Sequence, residues 1–330
     1  MRSLFLPVLL AAALFGCSKS GAQADKAPPL PSVPPPPANL SPARSPVPAT
    51  TPTPAPAPAP TPTPTPSPEP VAPENRPDSK VEGYPPLPTG GEGGEIFEVT
   101  NLEDSGPGSL REALDKVNKL GKPARITFKV GGTILVQSGL RLDAPNATLD
   151  GSTAPAPGIT LSGRDIMKFL FDEDGFLKQP ISRTRRAFKP GAIRAHRGPL
   201  FGIGKVENVI VRDIRFRETP SLNLHLAGGA KRILFDHISS TECGDGALFI
   251  NNGAELVTVQ WSIFAGCNLC VRTRGDKVSF HHCLFAENAM RNPLARGDGV
   301  RDLRNNVVVG WRVAGIQSVE GESPKLNIIN

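Results

Sequence analysis

Between Asn208 and Asn306 one five-residue phrase returns at near-constant spacing, and this recurrence limits the fold more than any other property of the chain. It reads Val209-Ile-Val-Arg-Asp213, Ile233-Leu-Phe-Asp-His237, Val257-Thr-Val-Gln-Trp261 and Val278-Ser-Phe-His-His282. The starts lie 24, 24 and 21 residues apart, and a weaker copy, Arg301-Asp-Leu-Arg-Asn305, follows after 23 more. A period in the low twenties, with one strand phrase per period and Gly/Asn-rich turns between, predicts a solenoid and not a sandwich. In a parallel β-helix each coil lays its strand on the preceding one, about 4.8 Å away, so equivalent residues stack in columns. Val211, Phe235, Val259, Phe280 and Leu303 form one apolar column and Val209, Ile233, Val257 and Val278 another; both are expected inside. Arg212, Asp236, Gln260, His281 and Arg304 form a polar column expected to face outward.

The chain has 330 residues and 37 prolines, and most of the prolines fall before residue 90. Met1-Arg2 followed by the apolar run Leu4 to Phe15 has the layout of a secretory signal, too short for a comfortable membrane span. Its end, Leu14-Phe15-Gly16-Cys17, resembles a bacterial lipobox, which implies residues 1–17 as a lipoprotein signal with Cys17 as the lipidated residue. Ser18 in place of Asp implies, by the same resemblance, an outer-membrane, cell-surface or periplasmic location. Residues 18–89 are rich in Pro, Ala and Thr and predict a disordered, extended polyproline-like stalk, because such a composition cannot bury apolar area.

Order is expected from residue 90, giving a solenoid domain over 90–330. Ile96 to Thr100 alternates like a strand, and Ser109-Leu-Arg-Glu112 fits a capping box that starts a helix over Leu110 to Leu120, ended by Gly121. The apolar face of that helix is expected to cap the open first coil. Ile126–Val130, Thr133–Val136, Ala147–Leu149 and Ile159–Leu161 read as further coil strands, and residues 163–199 as an inserted loop. Residues 164–217 hold 13 Lys/Arg against 6 Asp/Glu, a surplus of +7 against +6 for the whole chain, so the basic charge is concentrated there. A basic wall suits an acidic ligand, and a solvated basic loop has the same composition.

Val99-Thr-Asn-Leu-Glu-Asp-Ser-Gly-Pro-Gly-Ser-Leu-Arg-Glu-Ala113, Ile126-Thr-Phe-Lys-Val-Gly-Gly-Thr-Ile134, Thr148-Leu-Asp-Gly-Ser-Thr-Ala-Pro155, Asn208-Val-Ile-Val-Arg212, Asp236-His-Ile-Ser239, Val257-Thr-Val-Gln-Trp-Ser262 and Arg291-Asn-Pro293 resemble, in that order, the pectate lyase-like proteins of polysaccharide lyase family 1. The resemblance implies an all-β fold, a right-handed parallel β-helix with an N-terminal capping helix. It also implies calcium-assisted β-elimination on an acidic, uronate-containing polysaccharide. The family's catalytic arginine falls on Arg291 and its substrate-binding arginine on Arg296; apart from the resemblance, Arg272 and His281 are candidates to assist in binding substrate. Its calcium carboxylates fall on Ser221, Asn223, Asp245 and Phe249, so Asp245 and Asn223 are the candidate metal ligands, and its substrate lysine falls on Leu269. A hard cation wants several anionic oxygens, which makes this ligand set a poor one. The alternative is therefore a catalytically degenerate β-helix that binds an acidic glycan or serves a structural or adhesive role in the envelope. The expected partner is an acidic polysaccharide, with membrane contact only through the lipid anchor, no nucleic acid, and a monomeric chain.

Besides Cys17 there are four cysteines. Cys243 and Cys267 hold equivalent places on adjacent coils, which predicts Cα atoms about 5 Å apart, within disulfide range. Cys267-Asn-Leu-Cys270 with His281-His282-Cys283 has the residue types of a zinc site, but the solenoid register keeps those ligands apart. His282 falls in the column of Asp213, His237, Trp261 and Asn305, where packing explains it. Leu326 to Asn330 begins another coil and stops, as expected of a truncated product or a partner-supplied cap.

Overall fold

The computed structural model describes residues 80–167, 198–319 and 321–329. The signal segment, Cys17, most of the stalk and residues 168–197 of the basic insertion lie outside the described residues. The rest winds as a parallel β-helix with three sheets. The first, sheet A, joins Glu95–Val99, Ala124–Phe128, Ala147–Asp150, Glu207–Arg212, Lys231–Asp236, Glu255–Gln260, Asp276–His281, Val300–Arg304 and Lys325–Ile329. Sheet B holds Gly132–Leu135, Ile159–Ser162, Ile214–Arg217, Ser239–Thr241, Ile263–Ala265, Leu284–Ala286 and Val307–Val309. Sheet C holds Leu140–Leu142, Phe201–Ile203, Leu222–Leu226, Gly246–Ile250, Leu269–Thr273 and Leu294–Ala295.

The repeated phrase is the strand of sheet A, and its pairing register is the one read from the spacing: Val211, Phe235, Val259, Phe280 and Leu303 are successive partners, as are Val209, Ile233, Val257 and Val278. All are buried in the core. The second column continues to Arg301, a fully buried guanidinium, where an apolar residue would extend the series. Nη2 of Arg301 donates to the carbonyls of Arg296 and Thr273, while Nε and Nη1 have no protein partner. The last residue of each phrase, Asp213, His237, Trp261, His282 or Asn305, is left-handed (φ 48 to 57°), turning the chain from sheet A to sheet B. Their side chains stack along the axis, with ring centroids 6.3 Å apart for His237–Trp261 and 4.1 Å for Trp261–His282.

Helix α1, Leu110–Leu120, packs Leu110, Ala113, Leu114 and Val117 onto the first coil. Ser109 Oγ accepts from the Glu112 N–H at 3.2 Å, but Glu112 reaches past the cap residue and takes the Gly108 N–H at 2.8 Å. Gly121 ends the helix in the left-handed conformation that glycine adopts without strain.

The polar column of sheet A does face outward, yet Gln260 and His281 are fully buried. Residues 80–94 run across the outer face as a strap. The Glu82 N–H donates to Gln260 Oε1 at 3.4 Å, Arg304 Nη2 donates to the Glu82 carbonyl at 3.2 Å, and Gly83 sits against Thr258 so closely that a Cβ would collide with its hydroxyl. Farther along, Asn208 Oδ1 accepts from the N–H groups of Thr89 (2.8 Å) and Gly90 (3.0 Å). Defined contacts thus begin ahead of residue 90, where composition alone placed the start of order. Under the same face Asp150, fully buried, receives the guanidinia of Arg212 (2.8 and 2.7 Å) and Arg125. Burial alone would raise the Asp150 pKa, but Arg212, Ser152 and Arg125 together hold it well below the usual carboxylate range.

Candidate functional site

Sheet C is built from the short strands that follow the turn after sheet B. Leu224, Leu248 and Val271 pair in register and point inward, so the neighbours His225, Phe249 and Arg272, also in register, point outward. Arg272 lies flat over the Phe249 ring, its guanidinium carbon 4.1 Å from the centroid. This cation–π contact stands in for a carboxylate partner. Nη2 of Arg272 donates to Asn251 Oδ1 at 3.3 Å, and Asn251 Nδ2 lies 2.9 Å from His225 Nε2. With the Asn251 amide donating, His225 is neutral, and burial with the charges of Arg141 and Arg272 lowers its pKa.

The next coil brings in the arginines. Val271 N–H donates to the Arg291 carbonyl at 2.8 Å, and the Arg291 N–H donates to Gln317 Oε1 at 2.9 Å. Asn292 is buried, donating to the Ala314 carbonyl and accepting from Asn288, so the backbone carrying Arg291 is held on both sides. Arg296 begins where Leu294–Ala295 ends, its N–H on the Thr273 carbonyl. Burial pushes the Arg272 guanidinium down, as do Arg291, Arg274 and Arg296, against the pull of Asp245. Burial likewise lowers Arg291; Asp245 opposes this and Arg296 reinforces it. Arg296 moves the other way, raised by its two-point pairing with Glu322 (2.8 and 3.3 Å). Asp245 thus acts on both Arg272 and Arg291, while Arg296, near both of them, has its charge met by Glu322.

Two candidates are placed elsewhere. His281 does not share this face: it ends the sheet A strand Asp276–His281 and lies beneath the strap, because the coil must still pass through Leu284–Ala286 before it reaches Arg291. Asn223 is fully buried, turned into the corner between sheets B and C, where Nδ2 donates to the carbonyls of Phe216 (3.3 Å) and Thr241 (2.9 Å) and to Ser240 Oγ (3.0 Å). Its Oδ1, the atom that a cation would use, has no protein partner, but it is buried with the rest of the side chain in that corner and not on the outer face. On the outer face the one anionic donor for calcium is then Asp245, with Ser221 and Phe249 at the other positions and the guanidinia of Arg272 and Arg291 close enough to interact with it. These residues do not fit a hard divalent cation. Glu322, Asn251 and His225 belong to the site and escaped the sequence reading, since none stands in a phrase that the resemblance covers.

Cys243 and Cys267 form a disulfide with Cα atoms 5.2 Å apart, as the register predicts. Cys267 is thereby unavailable to a metal, and Cys270 and Cys283 are buried thiols, Cys283 pushed up to about 12 by burial.

No family model matches the chain. The chain is similar to "Probable pectate lyase C" of Emericella nidulans, 31% identical over 242 residues, which is 70% of this chain and 47% of that protein. "Probable pectate lyase C" of Aspergillus fumigatus is 30% identical over 242 residues, with the same shares, 70% and 47%. The chain thus spans about half the length of the curated relatives it matches. Among solved structures, jun a 1, the major allergen from cedar pollen, superposes with a TM-score of 0.54 at 18% identity, covering 73% of this chain and 67% of that one. That likeness shows a shared fold, the parallel β-helix.

Proposed function

We propose that the protein is a pectate lyase-like polysaccharide lyase that cleaves an acidic, uronate-containing polysaccharide by β-elimination on the outer face of sheet C. The observation that supports this reading is the grouping of Arg272 and Arg291 about Asp245, with Arg296 near both arginines. The proton α to a uronate carboxylate is weakly acidic, so its loss requires that the carboxylate and the developing carbanion be neutralised. Arg272 and Arg296 bind the carboxylate, and Arg291 stands where the proton leaves. In its charged state Arg291 stabilises the carbanion; the lowering of its pKa by burial is the direction that a proton acceptor needs. The proton leaves the α carbon, the bond from the β carbon to the glycosidic oxygen breaks, and a carbon–carbon double bond forms between them. Because Asp245 is the one carboxylate kept among the four positions, charge neutralisation falls to the arginines, and turnover persists in a chelator. The similarity to the two fungal proteins supports the same reading.

The test is the ultraviolet absorbance of unsaturated uronate product from polygalacturonate and related uronate polymers, with calcium and with chelator. No product on any polymer overturns the lyase reading, and product only with calcium overturns its metal independence. A second reading, a glycan binder without cleavage, is favoured by Leu269 and Phe249 at positions where the resemblance expects a lysine and a carboxylate; it shows as salt-sensitive polyuronate binding without product. We also propose that a lipid on Cys17 and the stalk after it tether a monomeric domain to the outer membrane, the cell surface or the periplasmic side of the envelope. Loss of lipid labelling in Cys17→Ser is expected, and unchanged labelling counts against the anchor.

A further inference from the structure

The buried end of sheet A holds a second group of residues, remote from the arginines and independent of the lyase reading. His281 closes its strand on the outer side, and in a regular strand the next residue would point to the opposite face. His282 is left-handed (φ 56°), which breaks that alternation and leaves the two imidazoles side by side, edge to face at 85°, with Nδ1 3.3 Å from Nδ1. The strap brings Glu82 to the same point, where one ligand atom from each of Glu82, His281 and His282 lies within 4.8 Å of the others.

Hydrogen bonding leaves this arrangement one partner short. Two facing Nδ1 atoms share at most one proton if both rings are neutral, and His281, fully buried, has an Nε2 with no partner. The spacing is that of a coordination edge: bonds of about 2.0–2.1 Å to a tetrahedral ion put two ligand nitrogens roughly 3.3 Å apart. Asn305 Nδ2 lies 3.3 Å from His282 Nε2; an ion on Nδ1 would require that amide to turn over, its oxygen then accepting the Nε2–H. The nearby cation, Arg304, stands 4.0 Å from the Glu82 carboxylate, but its Nε is engaged by Asp302 at 2.7 Å. Glu82 is solvent-exposed, which gives an ion a route in and water a free coordination position.

We propose that Glu82, His281 and His282 form a binding site for a divalent cation of the zinc class, and that its occupation fastens the strap to the outer face of sheet A. Two imidazoles and one carboxylate suit zinc, nickel or copper and not calcium. The ion ties residue 82 to residues two hundred positions later in the chain, the same link already made by Glu82 with Gln260 and Arg304.

The experiment uses the full chain, free of any polyhistidine tag, stripped with chelator and titrated with Co²⁺ and Zn²⁺. One equivalent is expected to bind, Co²⁺ giving visible d–d bands, and Zn²⁺ is expected to slow proteolysis within the strap and raise the unfolding midpoint. Glu82→Gln, a change at an exposed side chain that leaves the core untouched, should weaken binding at least about tenfold. Trp261, stacked 4.1 Å from His282, supplies a second reading: Ni²⁺ or Cu²⁺ should quench its fluorescence, and Trp261→Phe or Glu82→Gln should remove that quenching. Absence of stoichiometric binding overturns the proposal, since a bridging water would then satisfy the two rings. Equal binding by the Glu82→Gln variant also overturns it, placing the ion on other ligands such as the buried thiols.

Discussion

The outer faces of sheets A and C are made from the same coils, yet one is closed and the other open. On sheet A the outward column is covered by the strap, its charges meet partners, and Asp150 takes two guanidinia. On sheet C the outward row of His225, Phe249 and Arg272 finds its contacts within the row and with Asn251, and Arg272 is surrounded by more cations than carboxylates. A parallel β-helix thus yields, from one repeat, a face where charge serves cohesion and a face where charge remains available for a ligand. The difference lies in what returns over each face, not in the strands.

The strongest test of this contrast is Asp150→Asn. Removing the buried carboxylate leaves Arg125 and Arg212 without their partner, and because both guanidinia are more than a third exposed a loss of about 2–3 kcal/mol in denaturant unfolding is expected. The pH dependence has a fixed sign. Because the folded-state pKa is held down, the contribution is present above the ordinary aspartate value of about 3.9 and disappears as pH falls through the lower folded value, so wild type and variant converge in acid. A stability gap that persists unchanged at low pH would show that Asp150 acts by packing alone.

Arg291→Ala should do the reverse: turnover of uronate polymer falls by about 100-fold or more, with an unfolding midpoint near that of wild type. If stability falls as much as it does for Asp150→Asn, the sheet C arginines are structural and the two faces do not differ in kind. Asn208→Ala is a smaller probe of the strap. It removes an acceptor for the Thr89 and Gly90 N–H groups, with an expected cost of about 1–3 kcal/mol and faster cleavage before residue 90. Cleavage unchanged from wild type would mean that the strap is held elsewhere. The smallest effect is expected at the thiols. Cys270 and Cys283 should resist alkylation in the native chain at neutral pH, since burial raises both, and Cys243 and Cys267 should react only after reduction. Rapid labelling of Cys283 in the native state would contradict its burial.

Whatever depended on the period was legible in the amino-acid order. The strand phrase of sheet A, its inward columns through Phe235, Val259 and Phe280, the cap of helix α1 and the pairing of Cys243 with Cys267 all follow from residues at repeating or short separations. The resemblance named Arg291 and Asp245, which interact electrostatically. What escaped were contacts with no period. The strap meets sheet A across separations of 57 to 222 residues, and no alternation or spacing announces such a return. It buried Gln260 and His281 in a column expected at the surface and brought Glu82 to His281. Asn223 was counted to the correct coil, but its amide found three acceptors in a corner that only the packed turn creates. Glu322 reaches Arg296 from the following coil. Sequence alone determined the register, because stacking repeats a local pattern every coil; the tertiary structure decided which outward face stays open, because that depends on where the chain's non-repeating ends come to rest.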